Sequence, residues 1–424
     1  MINRIGKKII LTILRLEAML VLKRFKPSII GVSGSVGKTT TKEAIATLLG
    51  EHYRVGKSPK SYNSEIGVPL AILGLQSGWG SFGAWLQNIA HGAWRVVSRA
   101  PYPQILVLEL GVDRPGDFDS LLSWVKPTIA VITAIGDVPV HVEYFASVED
   151  VAKEKAKLVQ VIPQDGCVIL NADDPQVLAM RELTQARVLT YGVHKEANIV
   201  ASGYKALFSR SHMSSGISFR IDCEGKSIPI KNQNVIGVQS MYALLATAAV
   251  GVVKSLNLIE IAEGLSKYKP MPGRFFLVEG INSSLIIDDS YNASPLAMAV
   301  ALDTLSTIPA GRKIAVLGDM LELGKFTKDA HEAIGKQASG IVDVLVTVGL
   351  RTKSMESAGA KEFYWFSDSK AAGEFLKEYI KKDDVVLVKG SQGTRMERVV
   401  EALMAHPEDA SRLLVRQDSY WKKH

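Results

Sequence analysis

Short apolar runs alternate with longer amphipathic stretches along most of the chain, and the two patterns predict strands and helices in turn. The stretch Ile29–Val32, Gln104–Leu110, Thr128–Thr133 and Cys167–Leu170 are near-continuous apolar runs, the pattern of strands buried on both faces. Lys42–Leu49 and Ser147–Val161 carry helical spacing between them. Strands alternating with helices at these lengths predict a parallel sheet with right-handed crossovers. Residues 190–232 change to shorter alternating segments such as Gly216–Ile221, which predicts an antiparallel excursion, and an alanine-rich helix is predicted over about Ser240–Lys254. Past the Pro/Gly break at Lys269–Arg274, strands are predicted at Ser284–Asp288, Lys313–Leu317, Val342–Val348 and Asp384–Val388. Helices separate them, and a helix over Met396–Met404 and a polar tail follow. The expected fold class is therefore α/β, in two domains, 28–270 and 271–424, behind an N-terminal amphipathic helix in residues 1–27.

That N-terminal helix is one of two segments whose apolar stripe has more than one use. Residues 9–22 are apolar but interrupted by Arg15 and Glu17, and fall short of the roughly 20 residues needed to span a bilayer. No small-residue cleavage site of a signal peptide follows, and Lys7, Lys8, Lys23, Arg24 and Lys26 flank the segment. A tryptophan-bearing helix is predicted over 78–103. In it Phe82, Trp85, Leu86, Ile89, Ala93, Trp94 and Val97 fall on one stripe, with Trp79, Arg95 and Arg99 nearby. Mutual packing of the two helices on the body is the favoured reading, because buried stripes outnumber membrane-bound ones. Peripheral contact with the inner face of a membrane is the other.

Composition narrows the class. A chain of 424 residues is long enough for two or three cores, and it shows no low-complexity tract or obvious repeat. Two cysteines, Cys167 and Cys223, lack metal-ligand spacing and point to a reducing compartment, hence the cytoplasm. The net charge of +7 suits an enzyme of anionic substrates. No Lys/Arg run interleaves with aromatics, so nucleic acid is not the expected partner, and a monomer is expected.

The candidate chemistry starts at residues 30–41, IGVSGSVGKTTT, between an apolar strand and a helix. Glycines there let backbone N–H groups converge on phosphate oxygens, with Gly34, Ser35 and Gly37 forming the cradle. Lys38 neutralises charge, and the hydroxyls of Thr39 and Thr40 stand beside it, one placed to ligate Mg²⁺. The strict phosphate-loop spacing asks for glycine at position 32, where this chain has valine. Glu109 ends a buried strand, where open α/β sheets hold their ligands, and a carboxylate there suits Mg²⁺. Taken singly, His141 in a loop and Lys155 on a helix would be ordinary surface residues. Arg274, in Pro272-Gly273-Arg274, suits γ-phosphate or transition-state charge across a cleft.

Together these segments resemble the Mur ligase family. The resemblance runs from about residue 28 to the C-terminus through GVSGSVGKTTTKE (31–43), SYNSEIGVP (61–69), LELGVDRPGD (108–117), HVEYFASVEDVAKEK (141–155), LNADDP (170–175), PGR (272–274), IDDSYNASP (287–295), LGDMLELG (317–324) and VLVKGSQGTRME (386–397). It implies a central ATP-binding domain and a Rossmann-like C-terminal domain closing over the nucleotide, with ATP and Mg²⁺ as cofactors. It implies Lys38 on the phosphates, Thr39 with Glu109 on one Mg²⁺, and His141 with a carbamylated Lys155 on a second. Asn171 and Asp174 match the turn lining the nucleotide site, Arg274 and Asp289 match positions reaching ATP from the second domain, and Asn292 and Pro295 complete the adjoining motif. The implied reaction joins a carboxylate to an amine through an acyl phosphate. DDSYNASP and GDMLELG point to the branch that adds D-alanyl-D-alanine to a UDP-linked cell-wall peptide precursor.

Two features depart from the family pattern. About 30 residues precede the loop, where family members carry a domain that grips the UDP-sugar. The family's Gly-x-His-Asn-x-x-Asn segment reads here Gly237-Val238-Gln239-Ser240-Met241-Tyr242-Ala243, without the His and both Asn. A Mur-like ligase for another carboxylate and amine, as in folate- and cyanophycin-type relatives, is the alternative of like chemistry. A partner-dependent nucleotide-binding subunit is the alternative of a different class.

Overall fold

A computed structural model of the chain describes residues 4–59, 62–78, 81–136, 144–145, 147–208, 215–418 and 421–422. The first part opens with α1 (Arg4–Phe25), β1 (Ser28–Ser33), α2 (Lys38–Gly50) and β2 (Val55–Lys57). The crossover back to the sheet carries α3 (Gly67–Leu73) and α4 (Phe82–Val97) before β3 (Ile105–Glu109). Then come α5 (Asp117–Leu122), β4 (Ile129–Ile132), α6 (Val148–Gln160), β5 (Cys167–Asn171), α7 (Pro175–Leu178) and β6 (Arg187–Gly192). Three strands, β7 (Ile199–Leu207), β8 (Gly216–Cys223) and β9 (Lys226–Asn232), precede α8 (Val238–Val253) and α9 (Leu258–Lys267).

These strands form one nine-stranded sheet in the order β2-β3-β1-β4-β5-β6-β7-β8-β9. Pairing is parallel from β2 through β7 and antiparallel from β7 to β9, as the change of pattern at residues 190–232 predicts. Alternate residues of each buried strand feed opposite cores. Ile29, Leu106 and Leu108 face one core, with α1, α3, α5 and α6, while Ile30, Val32, Ile105 and Val107 face another, with α2, α8 and α9. Because both faces are covered, the strands read as continuous apolar runs.

The second sheet takes β10 (Phe276–Glu279), β11 (Leu285–Asp289), β12 (Lys313–Gly318), β13 (Val344–Val348), β14 (Glu362–Phe366) and β15 (Val385–Lys389) in the order β10-β11-β15-β12-β13-β14. Only the edge pair β10–β11 is antiparallel. Its helices are α10 (Pro295–Thr307), α11 (Thr327–Ser339), α12 (Ser369–Tyr379) and α13 (Glu397–Leu403). Ser294 caps α10, its hydroxyl accepting from Ala297 N at 3.4 Å with Pro295 in the first turn.

The N-terminal helix packs on the body. Ile10, Leu14, Ala18 and Val21 recur at helical spacing and are buried against α3 and α4. Phe25 stacks on Tyr102 with ring centroids 4.7 Å apart, and Arg15 donates to the Ser123 hydroxyl at 3.2 Å. The tryptophan-bearing helix is shorter than its pattern predicts, and its inward residues are Trp85, Asn88 and Gly92 rather than the whole stripe. Trp79 lies outside the described residues.

Candidate active site

The loop after β1 lies at the carboxyl edge of the first sheet, where strand order reverses around β1, the place an open α/β sheet offers a ligand. Gly34 takes φ +144°, and a Cβ there would fall 2.0 Å from the Thr133 hydroxyl; only glycine fits. Thr133 holds the loop by donating to the carbonyls of Val36 at 2.6 Å and Ser33 at 3.1 Å. Lys38 Nζ folds back onto the carbonyls of Gly34 and Ser35, at 2.7 and 3.1 Å, so its amine sits in the mouth of the loop.

Register brings the acid to the loop. Val32 of β1 pairs with Glu109 of β3, leaving the Glu109 carboxylate beside the first turn of α2. Glu109 Oε2 accepts from Thr39 Oγ1 at 2.9 Å and lies 3.9 Å from Lys42 Nζ, while Oε1 accepts from Asn63 Nδ2 at 3.1 Å. Its backbone N–H donates to Ser58 Oγ at 3.1 Å. Lys42 is fully buried and bridges Ser58 O at 2.7 Å and Glu43 at 3.1 Å, so it braces this corner from below.

Lys155 reaches the loop from α6, its Nζ 3.0 Å from the Gly34 carbonyl. Burial, and then the charge of Lys38, hold its amine well below the usual lysine range. Burial likewise lowers Lys38, against the opposing pull of Glu109. His141 lies outside the described residues, and among those described no cluster of His, Cys, Asp or Glu has metal-binding form. The oxygens of Thr39 and Glu109 nonetheless meet at one point beside the loop. They form a hard-oxygen pair whose donor set fits Mg²⁺.

The second sheet faces this corner across a cleft of about 770 Å³ lined from both sides. Arg274 crosses it, its Nη2 donating to Thr39 Oγ1 at 3.3 Å, and its guanidinium lies 4.1 Å from the centre of the Tyr291 ring. The turn that aims Arg274 needs Gly273 at φ +70°. Asp288 holds that turn, its Oδ2 accepting from Gly273 N at 3.0 Å and its Oδ1 from Ser290 N at 3.0 Å. Burial pushes Asp288 up to about 6. Asp289 and Lys389 are register partners at the ends of β11 and β15 and form a buried ion pair at 2.5 Å. Lys389 also donates to the Asn292 carbonyl at 2.9 Å.

Thus Ser35, Gly37, Lys38, Thr39, Thr40, Glu109, Arg274, Asp289 and Asn292 line one cleft, and Lys155 and Gly34 lie directly beneath it. Asn171 and Asp174 are not among its described lining. Asn171 Oδ1 accepts from Asp173 N at 3.0 Å, and Asp174 caps α7 and accepts from Ile135 N at 2.8 Å. Gln239 and Ser240, from the departing segment, do line the cleft, and Tyr242 donates to Asp173 at 2.7 Å. Sequence reasoning missed Lys42, Asn63, Ser58, Asp288, Tyr291 and Lys389 as contributors. Lys42, Asn63, Asp288, Tyr291 and Lys389 lie inside segments that carry the family resemblance, but contacts such as Asn63–Glu109 and Lys389–Asp289 join residues 46 and 100 positions apart.

Comparison with known proteins agrees with this geometry. The Mur ligase middle domain matches residues 32–84 and 94–251, and the Mur ligase glutamate ligase domain matches 273–392. The UDP-N-acetylmuramoyl-tripeptide–D-alanyl-D-alanine ligase of Bacillus subtilis is 29% identical over 404 residues, 94% of this chain and 80% of that protein. The enzyme of the same name from Mycobacterium tuberculosis strain H37Rv is 30% identical, over 89% of this chain and 73% of its own. The crystal structure of MurF ligase from Thermotoga maritima in complex with ADP matches with a TM-score of 0.77 and 26% identity. The match covers 92% of this chain and 83% of that one.

Proposed function

This chain belongs to the Mur ligase family, and from that premise we propose that it joins D-alanyl-D-alanine to the peptide carboxylate of a UDP-muramoyl-tripeptide. It is an ATP-dependent ligase that forms C–N bonds, and it works with Mg²⁺. The observation that carries the proposal is the meeting of Thr39 with Glu109 from one sheet and Arg274 from the other. Both halves of the cleft thereby address one point, where a γ-phosphoryl group would sit.

In the proposed reaction an acceptor carboxylate oxygen attacks the γ-phosphorus, the bond to the β-phosphate bridging oxygen breaks, and ADP leaves. The amine then attacks the acyl carbon and loses a proton, the C–O bond to phosphate breaks, and amide and phosphate remain. Lys38 would leave its own loop carbonyls for the phosphates, and Arg274 would neutralise charge gathering on the transferred group. Thr39 and Glu109 would hold a Mg²⁺, which supplies further charge neutralisation there. The Lys155 amine, lowered by burial, would add to CO₂ to give a carbamate and a proton, and His141 would act with that carbamate on a second metal. Gly34, Ser35, Gly37 and Thr40 would cradle the phosphates. Asp289 and Asn292 would meet the nucleotide from the second sheet, and Asn171 and Asp174 would shape its base end. The working units we assign are 1–27, 28–270 and 271–424, in a monomer acting in the cytoplasm with peripheral contact at the inner membrane face.

A substrate panel tests this. ADP release is measured with UDP-muramoyl-tripeptide and D-alanyl-D-alanine together, each alone, and with other carboxylate and amine pairs, while mass spectrometry follows the amide. One amide per ADP with both substrates present is the expected result. ADP release that ignores the amine, or faster coupling of another pair, overturns the substrate assignment.

A further inference from the structure

Helices α1 and α4 carry a surface that the ligase chemistry does not use. On α4, Trp85, Asn88 and Gly92 turn inward. Five of the seven stripe positions, Phe82, Leu86, Ala93, Trp94 and Val97, stand in solvent instead. The exposure is large: 57% for Phe82, 55% for Trp94 and 72% for Val97. Beside it α1, whose inner face is buried, presents Ile9, Leu16, Met19 and Leu20 outward. The two helices pack together, and the Arg24 guanidinium bonds the Val96 carbonyl, so the exposed apolar residues stand on adjoining helices. Single exposed apolar residues are ordinary, but nine on two adjoining helices are the kind of grouping that marks a docking site.

Charge decides the occupant. Residues 4–26 contain seven Lys or Arg and residues 81–99 two more, against one acid, Glu17, which is buried. Lys8, Lys23, Arg24 and Arg99 are exposed. Indole and aliphatic side chains bordered by cations of one sign suit the boundary between headgroups and acyl chains of an anionic leaflet. A second copy of the chain fits poorly, because pairing this face with itself would bring like charges together. No described helix is long and apolar enough to cross a membrane, so the contact is made by lying on the surface.

We propose that the joint outer face of α1 and α4 docks the protein peripherally on anionic lipid. The apolar residues enter the headgroup boundary, and the lysines and arginines meet lipid phosphates. This stands apart from the substrate assignment, since neither helix lines the cleft.

The test uses the full chain with vesicles of phosphatidylglycerol mixed with phosphatidylcholine, and with phosphatidylcholine alone. Sedimentation and light scattering are read alongside ATP turnover. Expected is binding to the anionic vesicles at low salt that falls at least tenfold at high salt, with little binding to phosphatidylcholine. Leu86→Gln with Trp94→Gln should abolish it with ATP turnover unchanged. If that variant does not fold, Lys8→Glu with Lys23→Glu, both on exposed side chains, carries the test and should weaken binding at least tenfold. Absence of binding to anionic vesicles, or binding that survives in a folded variant, overturns the proposal. A wild-type dimer that the same substitutions convert to monomer also overturns it, and assigns the face to a second copy.

Discussion

Lys155 is the residue whose environment most changes its chemistry. Its amine is buried, 3.0 Å from the Gly34 carbonyl and near the charge of Lys38, and is held well below the usual lysine range. An amine so shifted gives up its proton more readily than an exposed lysine and is the better suited to attack CO₂, and a carbamate would set an anion beside the loop. Lys155→Ala should therefore lose nearly all ligase activity, and formate or acetate should restore part of it. Full activity in the variant would reject the carbamate. Glu17 is a second residue shifted by its surroundings, and it stands outside the site. Its Oε2 accepts no hydrogen bond among the described residues, and burial pushes its carboxyl from 4.5 up to about 7. The folded state thus binds the proton more tightly than the unfolded chain. Stability on this account is greatest below pH 4.5, falls as pH rises through the window to 7, and stays lower above it. Glu17→Gln should raise the melting temperature at pH 8 by about 2–4 °C and leave it unchanged near pH 4. An equal shift at both pH values would show that ionisation of Glu17 is not the cause.

Among the elements, the turn before β10 carries the most function for its length. Asp288 takes the N–H groups of Gly273 and Ser290 on its two carboxylate oxygens, and the turn so fixed projects Arg274 onto Thr39. Asp288→Asn replaces one acceptor with a donor facing an N–H. A lost buried hydrogen bond of this kind costs about 1–3 kcal/mol, and misplacement of Arg274 should lower kcat about tenfold or more. Arg274 acts on the transferred group, so the KM for ATP should move far less than kcat. A variant with wild-type kcat would release Asp288 from that role. The same scale shows what sequence pattern reveals. Strands buried on both faces announce themselves as apolar runs, so β1, β3, β4 and β5 were legible, as were β11, β12, β13 and β15. The strand β2 has only three residues and lacks such a run, while the edge strands β10 and β14 carry short apolar runs, Phe276–Val278 and Phe363–Phe366, that were not assigned as strands. On α4 the stripe at helical spacing was real, but periodicity names an apolar face without saying which way it turns. Of the stripe only Trp85 is buried, and it faces the core together with Asn88 and Gly92.

At the scale of the whole molecule, function arises where two sheets contributed by distant parts of the chain face one cleft. Motif resemblance made Lys38, Glu109, Lys155, Arg274 and Asp289 legible as candidates. Their contacts were not legible, because Thr39 and Arg274 are 235 residues apart and Asp289 and Lys389 are 100. Lys42 was missed for a related reason, since a lysine at full burial on a loop helix carries no signature distinguishing it from a solvated one. The central claim is that this cleft moves a phosphoryl group from ATP to a carboxylate. The most direct measurement uses acceptor tripeptide labelled with ¹⁸O in the reacting carboxylate, with ATP and D-alanyl-D-alanine, followed by mass analysis of the released phosphate. Transfer through an acyl phosphate predicts one ¹⁸O in each phosphate released with product. Phosphate free of label, its new oxygen drawn from water, would contradict the account.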